Sequence, residues 1–395
     1  MSVCGVSNTV AQALSQVEHE IARACPHAQA KSEARLLLAW ACNIDSTRVP
    51  CEMERVVSPD EDARLQQARA LRAQGVPVQY CIGKANFRYL TLDITPQVLI
   101  PRPETELLVD EVLDACKSFD AHVEGAAVQQ TPLAMAHDVL DEGCDQHVAQ
   151  HDAQYAQYAS GATVSPNGAL GSHSSTCPQA LSGTSSCHEA SCNETPSHEA
   201  SAHETPRYTI VDMCTGSGCI GLSLAYENPH VRVLACDISA DALRCAAHNA
   251  QTLHLDDRFL CFQGNLGEAL RDVLSKTPDN SLKLQPGMID CVVSNPPYIP
   301  HAEMATLPSD VRNFEPVLAL DGGADGLSVF YRLAPWSLQV LKPGGMFACE
   351  LHETCLEQAQ NFARSAGFER VSIRHDLAGK PRILKAYKPI ASPSV

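Results

Sequence analysis

The chain has 395 residues, 45% of them apolar, and carries 46 acidic against 29 basic side chains, a formal net charge of −17. That length leaves room for two or three domains with sizeable cores, and no run of about 20 apolar residues is present to cross a membrane as a helix. The acidity argues against broad binding to duplex nucleic acid, which depends on Lys and Arg neutralising phosphates. The N-terminus has neither a basic segment nor a continuous apolar stretch, so no secretory signal is expected. The 18 cysteines are scattered through apolar runs in the manner of small buried hydrophobes in a reducing compartment. The expected setting is the cytoplasm, with no membrane, no direct nucleic-acid partner and no metal, and the expected state is a monomer.

In chain order, Val10 to about Ala24 and Ser32 to Cys42 show helical spacing, with Leu36, Leu37, Leu38 and Trp40 forming an apolar face. Asp60 to Gln74 reads as a third helix, entered through Ser58-Pro59 and stopped at Gly75 with Pro77 beyond. Residues 1–85 are therefore expected to form a small helical recognition domain. Asn86 to Ile100 reads as a β-hairpin with Thr95-Pro96 as its turn, and 86–115 as a hairpin and linker.

Residues 116–206 change character: Ser, Thr, Ala, Gly and His dominate, apolar periodicity is lost, and His188-Glu-Ala-Ser repeats at His198. Such a segment cannot bury enough apolar area to offset its ordering entropy, so a disordered low-complexity insert is expected. Its Cys187, His188, Cys192, His198 and His203 do not have the paired short spacing of a structural zinc site.

From 207 to 395 short apolar runs alternate with helical stretches. Tyr208–Met213, Val231–Asp237, Phe259–Gln263 and Met288–Ser294 read as strands, Cys219–Tyr226 and Ala240–Thr252 as helices. This is the grammar of an α/β domain with a parallel sheet that binds ligands at its C-terminal strand ends. Gly344–Glu350 is a later strand, Cys355–Gly367 a helix, and Arg370–Arg374 and Arg382–Tyr387 are placed to close the sheet.

Two motifs carry chemistry. In Val211-Asp-Met-Cys-Thr-Gly-Ser-Gly-Cys-Ile-Gly221 a strand runs into a glycine turn and a helix start, where free N–H groups face a ligand. Asp237 ends the next strand, 19 residues after Gly218, where a carboxylate can accept both ribose hydroxyls. Together they point to a nucleoside-containing cofactor without saying which; a tight turn with an incidental acid is the plainer alternative. The second motif is an apolar strand ending in Asn295-Pro-Pro-Tyr298. Two prolines remove two donors, leaving the Asn295 and Pro296 carbonyls, an amide oxygen and an aromatic face at the strand end. That array accepts two N–H bonds from a planar NH2 group and packs against its plane.

Asn295-Pro-Pro-Tyr298 with the Gly216/Gly218 loop resembles the S-adenosylmethionine-dependent methyltransferases that modify amide or exocyclic amino nitrogens. Among them, Leu99-Ile-Pro-Arg-Pro-Glu-Thr-Glu-Leu-Leu-Val109 resembles the signature of the peptide chain release factor glutamine methyltransferases of the HemK/PrmC type. Gly75, Pro77, Tyr80, Gly83 and Phe87, Glu315-Pro with Ala319-Leu, Gly323-Ala-Asp-Gly-Leu327 and Asp376-Leu-Ala-Gly agree, so the resemblance covers nearly everything outside 116–206.

The resemblance implies a helical N-terminal domain joined to a Rossmann-like seven-stranded methyltransferase domain. It implies S-adenosyl-L-methionine as cofactor and class I release factors as protein substrate, methylated on the glutamine amide of Gly-Gly-Gln. Cys214, Thr215, Gly216, Ser217, Gly218, Asp237 and Asn295 would hold the cofactor, Asn265 and Leu266 would flank its adenine, and Asn295, Pro296, Pro297 and Tyr298 would hold the glutamine amide. Asn295, Pro296 and Tyr298 are the candidate catalytic residues. Three positions depart from the family pattern. Cys214 replaces the first loop glycine and fits if its φ is negative, Asn265 replaces an acid, and His352 replaces a glycine.

Glu104 and Glu106 look like a carboxylate pair, but acids at a helix start are stabilised by the macrodipole, and Arg102–Glu106 is expected to act as structure and cofactor lid. His248 and His301 are expected at the surface or satisfied in the core, Met213 in the core, and Lys342 as a solvated charge. Other readings remain open at this level: a ribosomal-protein glutamine methyltransferase, an amino-methyltransferase of nucleic-acid bases, a nicotinamide-dependent oxidoreductase using the glycine loop, or a release-factor-binding module without activity.

Overall fold

The computed structural model describes residues 8–25, 28–126, 206–270, 285 and 287–390. Most of the 116–206 insert, with its repeats and its His and Cys residues, lies outside the described residues. Among them no helix is long and apolar enough to cross a membrane.

Four helices come first: α1 (Val10–Ala24), α2 (Ala30–Ala41), α3 (Pro59–Ala73) and the short α4 (Val78–Ile82). The entries of α1 and α3 are reciprocal caps, Thr9 with Gln12 and Ser58 with Glu61, each satisfying two otherwise orphaned N–H groups. Val10, Val17, Leu37, Leu38, Leu65 and Val78 close their common core; Leu36 and Trp40 pack at its margin.

The hairpin follows as β1 (Lys84–Phe87) and β2 (Leu90–Asp93). Its turn is Arg88-Tyr89, because Phe87 pairs with Leu90; Thr95-Pro96 lies beyond the second strand and is not the hairpin turn. Arg88 takes φ 51°, a left-handed conformation that non-glycine residues adopt at a cost. Ion pairs from its guanidinium to Glu227 at 2.5 Å and Asp110 at 2.7 Å hold it there, with Glu106 accepting the Arg88 N–H at 3.0 Å. Tertiary contacts therefore replace the Gly or Asn that such turns ordinarily use.

A 3-10 turn at Pro103–Thr105 leads into α5 (Glu106–Ala126). This helix continues through Cys116, so the insert does not start there. Leu108, Val109, Val112, Ala115 and Cys116 recur at helical spacing and are buried in the main core, so 106–115, expected as linker, is the first half of a helix, and only its continuation past Cys116 falls in the stretch whose Ser- and His-rich average conceals it.

The remaining elements are β3 (Tyr208–Met213), α6 (Cys219–Glu227), β4 (Val231–Asp237), α7 (Ala240–Thr252), β5 (Phe259–Gln263), β6 (Ile289–Ser294), α8 (Ser309–Phe314), α9 (Ser328–Val340), β7 (Leu341–Glu350), α10 (Leu356–Ser365), β8 (Glu369–His375) and β9 (Pro381–Tyr387). They build one seven-stranded sheet in the order β5-β4-β3-β6-β7-β9-β8. The first five strands are mutually parallel, and β9 runs antiparallel to both β7 and β8. Two apolar layers cover its faces, which is why its central strands read as continuous apolar runs. Strand β6 is buried at every residue; its Asp290 accepts from the Thr209 N–H and pairs with Lys342. Lys342, which also lies 4.7 Å from the Phe119 ring centroid, is thus a structural partner rather than a free solvated charge.

Strand order reverses between β3 and β6. At such a switch point the loops leaving the two strands diverge and open a crevice at their C-terminal ends. The hairpin–linker packs beside it through Ile94, Val98 and Ile100 against Ala242 and Cys245 of α7, and Tyr80 donates to the Val98 carbonyl at 2.6 Å, tying α4 to the same linker.

Arg88→Ala should destabilise the protein by an amount between the ~1 kcal/mol of an exposed pair and the ~3–5 kcal/mol of a broken buried one. A lowered urea midpoint at unchanged slope is the expected result; an unchanged midpoint would show that the hairpin turn stands without these pairs.

Candidate active site

The crevice is a cavity of about 320 Å³, within the range of small-molecule sites. The glycine loop floors it, the linker from Pro96 to Thr105 covers one side, and Pro316, Leu318 and Ala319 cover another. Cys214, Thr215, Gly216 and Ser217, Asp237, Asn265, Leu266, Asn295 and Pro297 all line it. Gly218, Pro296 and Tyr298 do not: Gly218 caps α6 behind the loop, Pro296 is buried, and Tyr298 is half-buried against the β7 side of the sheet.

The loop works by close approach. At Gly216, φ is +57° and a Cβ would meet no protein atom within 4 Å, so the backbone there faces open space in the cavity. At Gly221 a Cβ would lie 2.7 Å from Phe259 and 2.8 Å from Val233, so only glycine lets α6 seat on the sheet. Asp212, buried beneath the loop, accepts from the Thr215 hydroxyl at 2.6 Å and the Gly221 N–H at 3.0 Å. Asn249 donates to the Ser217 carbonyl at 3.0 Å and to the Asp93 carbonyl at 2.9 Å, joining the hairpin to the loop.

Cys214 has φ 61°, not the negative value that would let it replace glycine without strain. The thiol settles into the apolar layer with Ser294 beside it, and burial pushes its pKa well up, so it is a neutral packing group. Thr215 N–H still reaches the Cys236 carbonyl at 3.1 Å, which keeps the loop in register despite the strained residue.

Asp237 accepts from Gly216 N–H at 3.0 Å and Ser239 N–H at 2.9 Å. Burial raises its pKa and these N–H groups oppose the rise. Each carboxylate oxygen keeps an unused lone pair after accepting one bond. Leu266 beyond the β5 end adopts φ 53°, and with Ile238 it gives the cavity apolar walls.

Asn295 is held by a residue from the far side of the chain. Its Nδ2 donates to Thr105 Oγ1 at 3.1 Å, and its Oδ1 is buried without a partner. A buried acceptor left unpaired is costly, and this one stands on the wall of the cavity. Behind it, the Tyr298 hydroxyl donates to Glu350 Oε1 at 3.1 Å; burial beside that carboxylate drives the phenol pKa far above its ordinary value. Arg102 pairs at 2.5 Å with Glu315, whose other oxygen accepts from the Ile100 N–H at 3.4 Å. This pair clasps the linker to the segment following α8, and Arg102 and Thr105 line the cavity. His301 and His248 have carboxylate partners, Asp321 at 2.9 Å and Asp93 at 3.2 Å.

Sequence reasoning missed Asp212, Asn249, Thr105 as a partner of Asn295, Glu315 as the partner of Arg102, Glu350 and the cavity-lining Arg332. Glu350 carried a usable signal: an acid directly after Met-Phe-Ala-Cys, at the ligand-binding end of a buried strand.

The sheet order with its antiparallel closing strand, the glycine loop and the acid at the next strand end define a methyltransferase-type α/β enzyme domain. Family comparison agrees: the Methyltransferase small domain matches residues 200–313 and the PrmC N-terminal domain matches residues 12–83. Release factor glutamine methyltransferase of Moorella thermoacetica is 31% identical over 384 residues, covering 96% of this chain and 99% of that protein. The proteins of the same name from Caulobacter vibrioides, 30% identical with 93% and 92% covered, and Mycolicibacterium smegmatis, 30% identical with 90% and 89% covered, are similar in extent. The chain belongs to the release factor glutamine methyltransferase family.

Burial raises the Asp212 pKa from 3.8 to about 7, and its Oδ1 has no partner to offset the charge. Between those values the native chain keeps a proton that the unfolded chain has lost, so this group's contribution to stability is full below about pH 4 and falls as pH rises toward 7. Urea midpoints at pH 5 and pH 8 should differ less for Asp212→Asn than for the wild type; equal differences would show that Asp212 is ionised throughout.

Proposed function

We propose that this protein transfers a methyl group from S-adenosyl-L-methionine to the side-chain amide nitrogen of the glutamine in the Gly-Gly-Gln motif of class I peptide chain release factors. The observation that carries this reading is Asn295 Oδ1, a buried acceptor without a partner on the wall of a cofactor-sized cavity, in a chain whose relatives bear the name of that activity.

Bound S-adenosyl-L-methionine supplies an electrophilic methyl group on a sulfonium centre. The open backbone at Gly216, with Cys214, Thr215 and Ser217, would hold its amino-acid portion, with Gly218 shaping the turn behind them. The free lone pairs of Asp237 would accept the ribose hydroxyls, and Asn265 and Leu266 would flank the adenine. These residues fit a nucleoside: one carboxylate at the lip, apolar walls and a glycine with nothing against it.

An amide nitrogen is a weak nucleophile because its lone pair is delocalised into the carbonyl. Asn295 Oδ1 accepts one N–H of the glutamine amide and the Pro296 carbonyl accepts the other. Two acceptors turn the nitrogen's free face toward the methyl donor and stabilise the positive charge that grows as the bond forms. Pro297 closes the cavity beside them, while Tyr298 stands behind the wall and braces the segment through its hydroxyl bond to Glu350. The phenol of Tyr298 stays protonated, so it does not serve as base. None is needed before methyl transfer, because the methylated amide nitrogen, once positively charged, is strongly acidic and releases its extra proton to water.

The partner is thus a protein loop rather than nucleic acid, and the protein acts as a monomer in the cytoplasm, where release factors are found. No step calls for a metal.

Asn295→Ala should lower turnover by about 10²–10³-fold, as loss of a charge-stabilising partner does, with cofactor affinity within a few-fold. Asp237→Ala should do the converse, weakening cofactor binding ~10- to 100-fold, the equivalent of ~1.5–3 kcal/mol for hydrogen bonds to a charged group. Steady-state methyl transfer and calorimetric cofactor titration separate the two; unchanged turnover in Asn295→Ala would refute the amide clamp.

A further inference from the structure

One motif that the sequence singles out, Asp376-Leu-Ala-Gly379, takes no part in the chemistry above. It forms the turn between β8 and β9, and the pairing of β9 with β7 puts that turn at the ligand-binding end of the sheet. Ile383 lies opposite Glu350, and the Leu351 N–H donates to the Arg382 carbonyl at 2.9 Å, so the turn begins where β7 ends and continues past it. Asp376 fixes its shape. One carboxylate oxygen accepts the N–H groups of Ala378 at 2.9 Å and Lys380 at 2.8 Å, and the other accepts from Arg382 Nε at 3.0 Å. Gly379, at φ +77°, supplies the left-handed step that the turn requires. At the tip of this fixed backbone Leu377 is 102% exposed: its whole side chain stands in water.

A single exposed leucine is ordinary on a protein surface; the place of this one is what matters. Contiguous residues join the turn to the amide clamp. Lys380 pairs with Glu353 at 2.9 Å, the neighbouring His352 ring lies 6.4 Å from the Tyr298 ring, and Tyr298 bonds to Glu350 behind Asn295. Strand β9 is two strand spacings from β6, roughly 10 Å, which an extended chain covers in about three residues. The other borders of the crevice are taken. Asp237 and Asn265, the cofactor's expected partners, stand at the ends of β4 and β5, the linker from Pro96 to Thr105 covers one side, and Pro316, Leu318 and Ala319 cover another. A protein chain that brings a glutamine to Asn295 therefore has the ends of β7 and β9 to run across.

We infer that the β8–β9 turn is a docking contact for the release factor beside its target glutamine, with Leu377 packing on an apolar side chain of that protein. The inference rests on the amide-transfer reading above and adds to it a contact outside the cavity. A backbone already held by Asp376 loses little freedom when the contact forms, which favours binding.

The test compares wild type with Leu377→Asp and Leu377→Met. Transfer of labelled methyl from S-adenosyl-L-methionine to a purified class I release factor gives kcat and KM, and calorimetric titration of the same factor into protein saturated with S-adenosylhomocysteine gives its affinity directly. Expected in Leu377→Asp is a rise of about tenfold in KM and in the dissociation constant, the scale of losing one buried leucine from an interface, with kcat and cofactor affinity within about twofold, because only binding of the protein substrate is removed. Leu377→Met, which keeps an apolar side chain of similar volume, should stay within about twofold of wild type throughout. Thermal melting should be the same in all three, as expected for a fully exposed side chain. Unchanged KM and affinity in Leu377→Asp overturn the inference, as does a fall in kcat with KM unchanged. An equal loss in Leu377→Met and Leu377→Asp also overturns it, since the contact would then not be apolar. Absence of label with wild type overturns the amide-transfer reading; the titration then decides the inference separately, a tenfold weaker complex in Leu377→Asp supporting it and equal or absent binding overturning it.

Discussion

The hydrogen bond from Asn295 Nδ2 to Thr105 Oγ1 joins residues 190 positions apart and fixes which end of the Asn295 amide faces the cavity. An asparagine amide is nearly symmetric in shape and opposite in character at its two ends. Free to rotate, it would present donor and acceptor alternately; held by Thr105, it offers a single acceptor to the cavity. The desolvated Oδ1 is a cost in the protein alone, and it is offset only when a donor arrives. Such stored polarity is a usual feature of sites that discriminate by hydrogen bonding, because a ligand without the donor leaves the cost in place.

Much of the fold serves to bring these two residues together. Strand β6, buried at every position, delivers Asn295 to the switch point with little freedom. Thr105 is delivered by the linker, which is fixed at several places along its length. Arg88 anchors the hairpin to α5 and α6 through Asp110 and Glu227, Tyr80 ties the linker to α4, and Arg102 clasps it to Glu315. The linker therefore both lines the cavity and holds Asn295, and a movement of the helical N-terminal segment would be felt at both through Tyr80 and Val98. The glycine loop tolerates a strained Cys214 because Asp212, Asn249 and the Cys236 carbonyl hold it on three sides.

Much of this was legible in the amino-acid sequence, and the failures have physical causes. Strands β3, β4 and β5 have the bounds that their apolar runs suggest; β3 and β4 are buried along most of their length and carry the signal in nearly every residue, and the edge strand β5 carries it in Phe259-Leu-Cys-Phe262. Strand β7 begins at Leu341 rather than Gly344 because Lys342-Pro-Gly-Gly resembles a turn, while its pairing with β6 starts earlier, across an irregularity. The hairpin turn at Arg88-Tyr89 carries none of the residues that turns favour; its conformation is held by ion pairs to distant acids that no local pattern reveals. Averaged composition hid the second half of α5.

At the site, residues recognised by spacing within one motif, Gly216, Asp237 and Asn295, lie where spacing put them relative to the strand ends. What spacing could not show is which residues face each other across the crevice. Thr105 and Glu350 meet Asn295 and Tyr298 only because the linker and β7 converge there, and Cys214 takes a positive φ because the loop geometry is set by its neighbours. The Asn-Pro-Pro-Tyr segment also divides its work: Asn295 and Pro297 face the cavity, while Pro296 and Tyr298 stand behind.

The central claim is tested most directly by incubating the protein with methyl-labelled S-adenosyl-L-methionine and a purified class I release factor, beside the same factor carrying Gln→Ala in its Gly-Gly-Gln motif. Label on the unmodified factor alone, located on the glutamine amide by mass spectrometry, is the expected result. Label on both factors, or on neither while the cofactor still binds, would contradict the assignment of Asn295 as an acceptor for that amide.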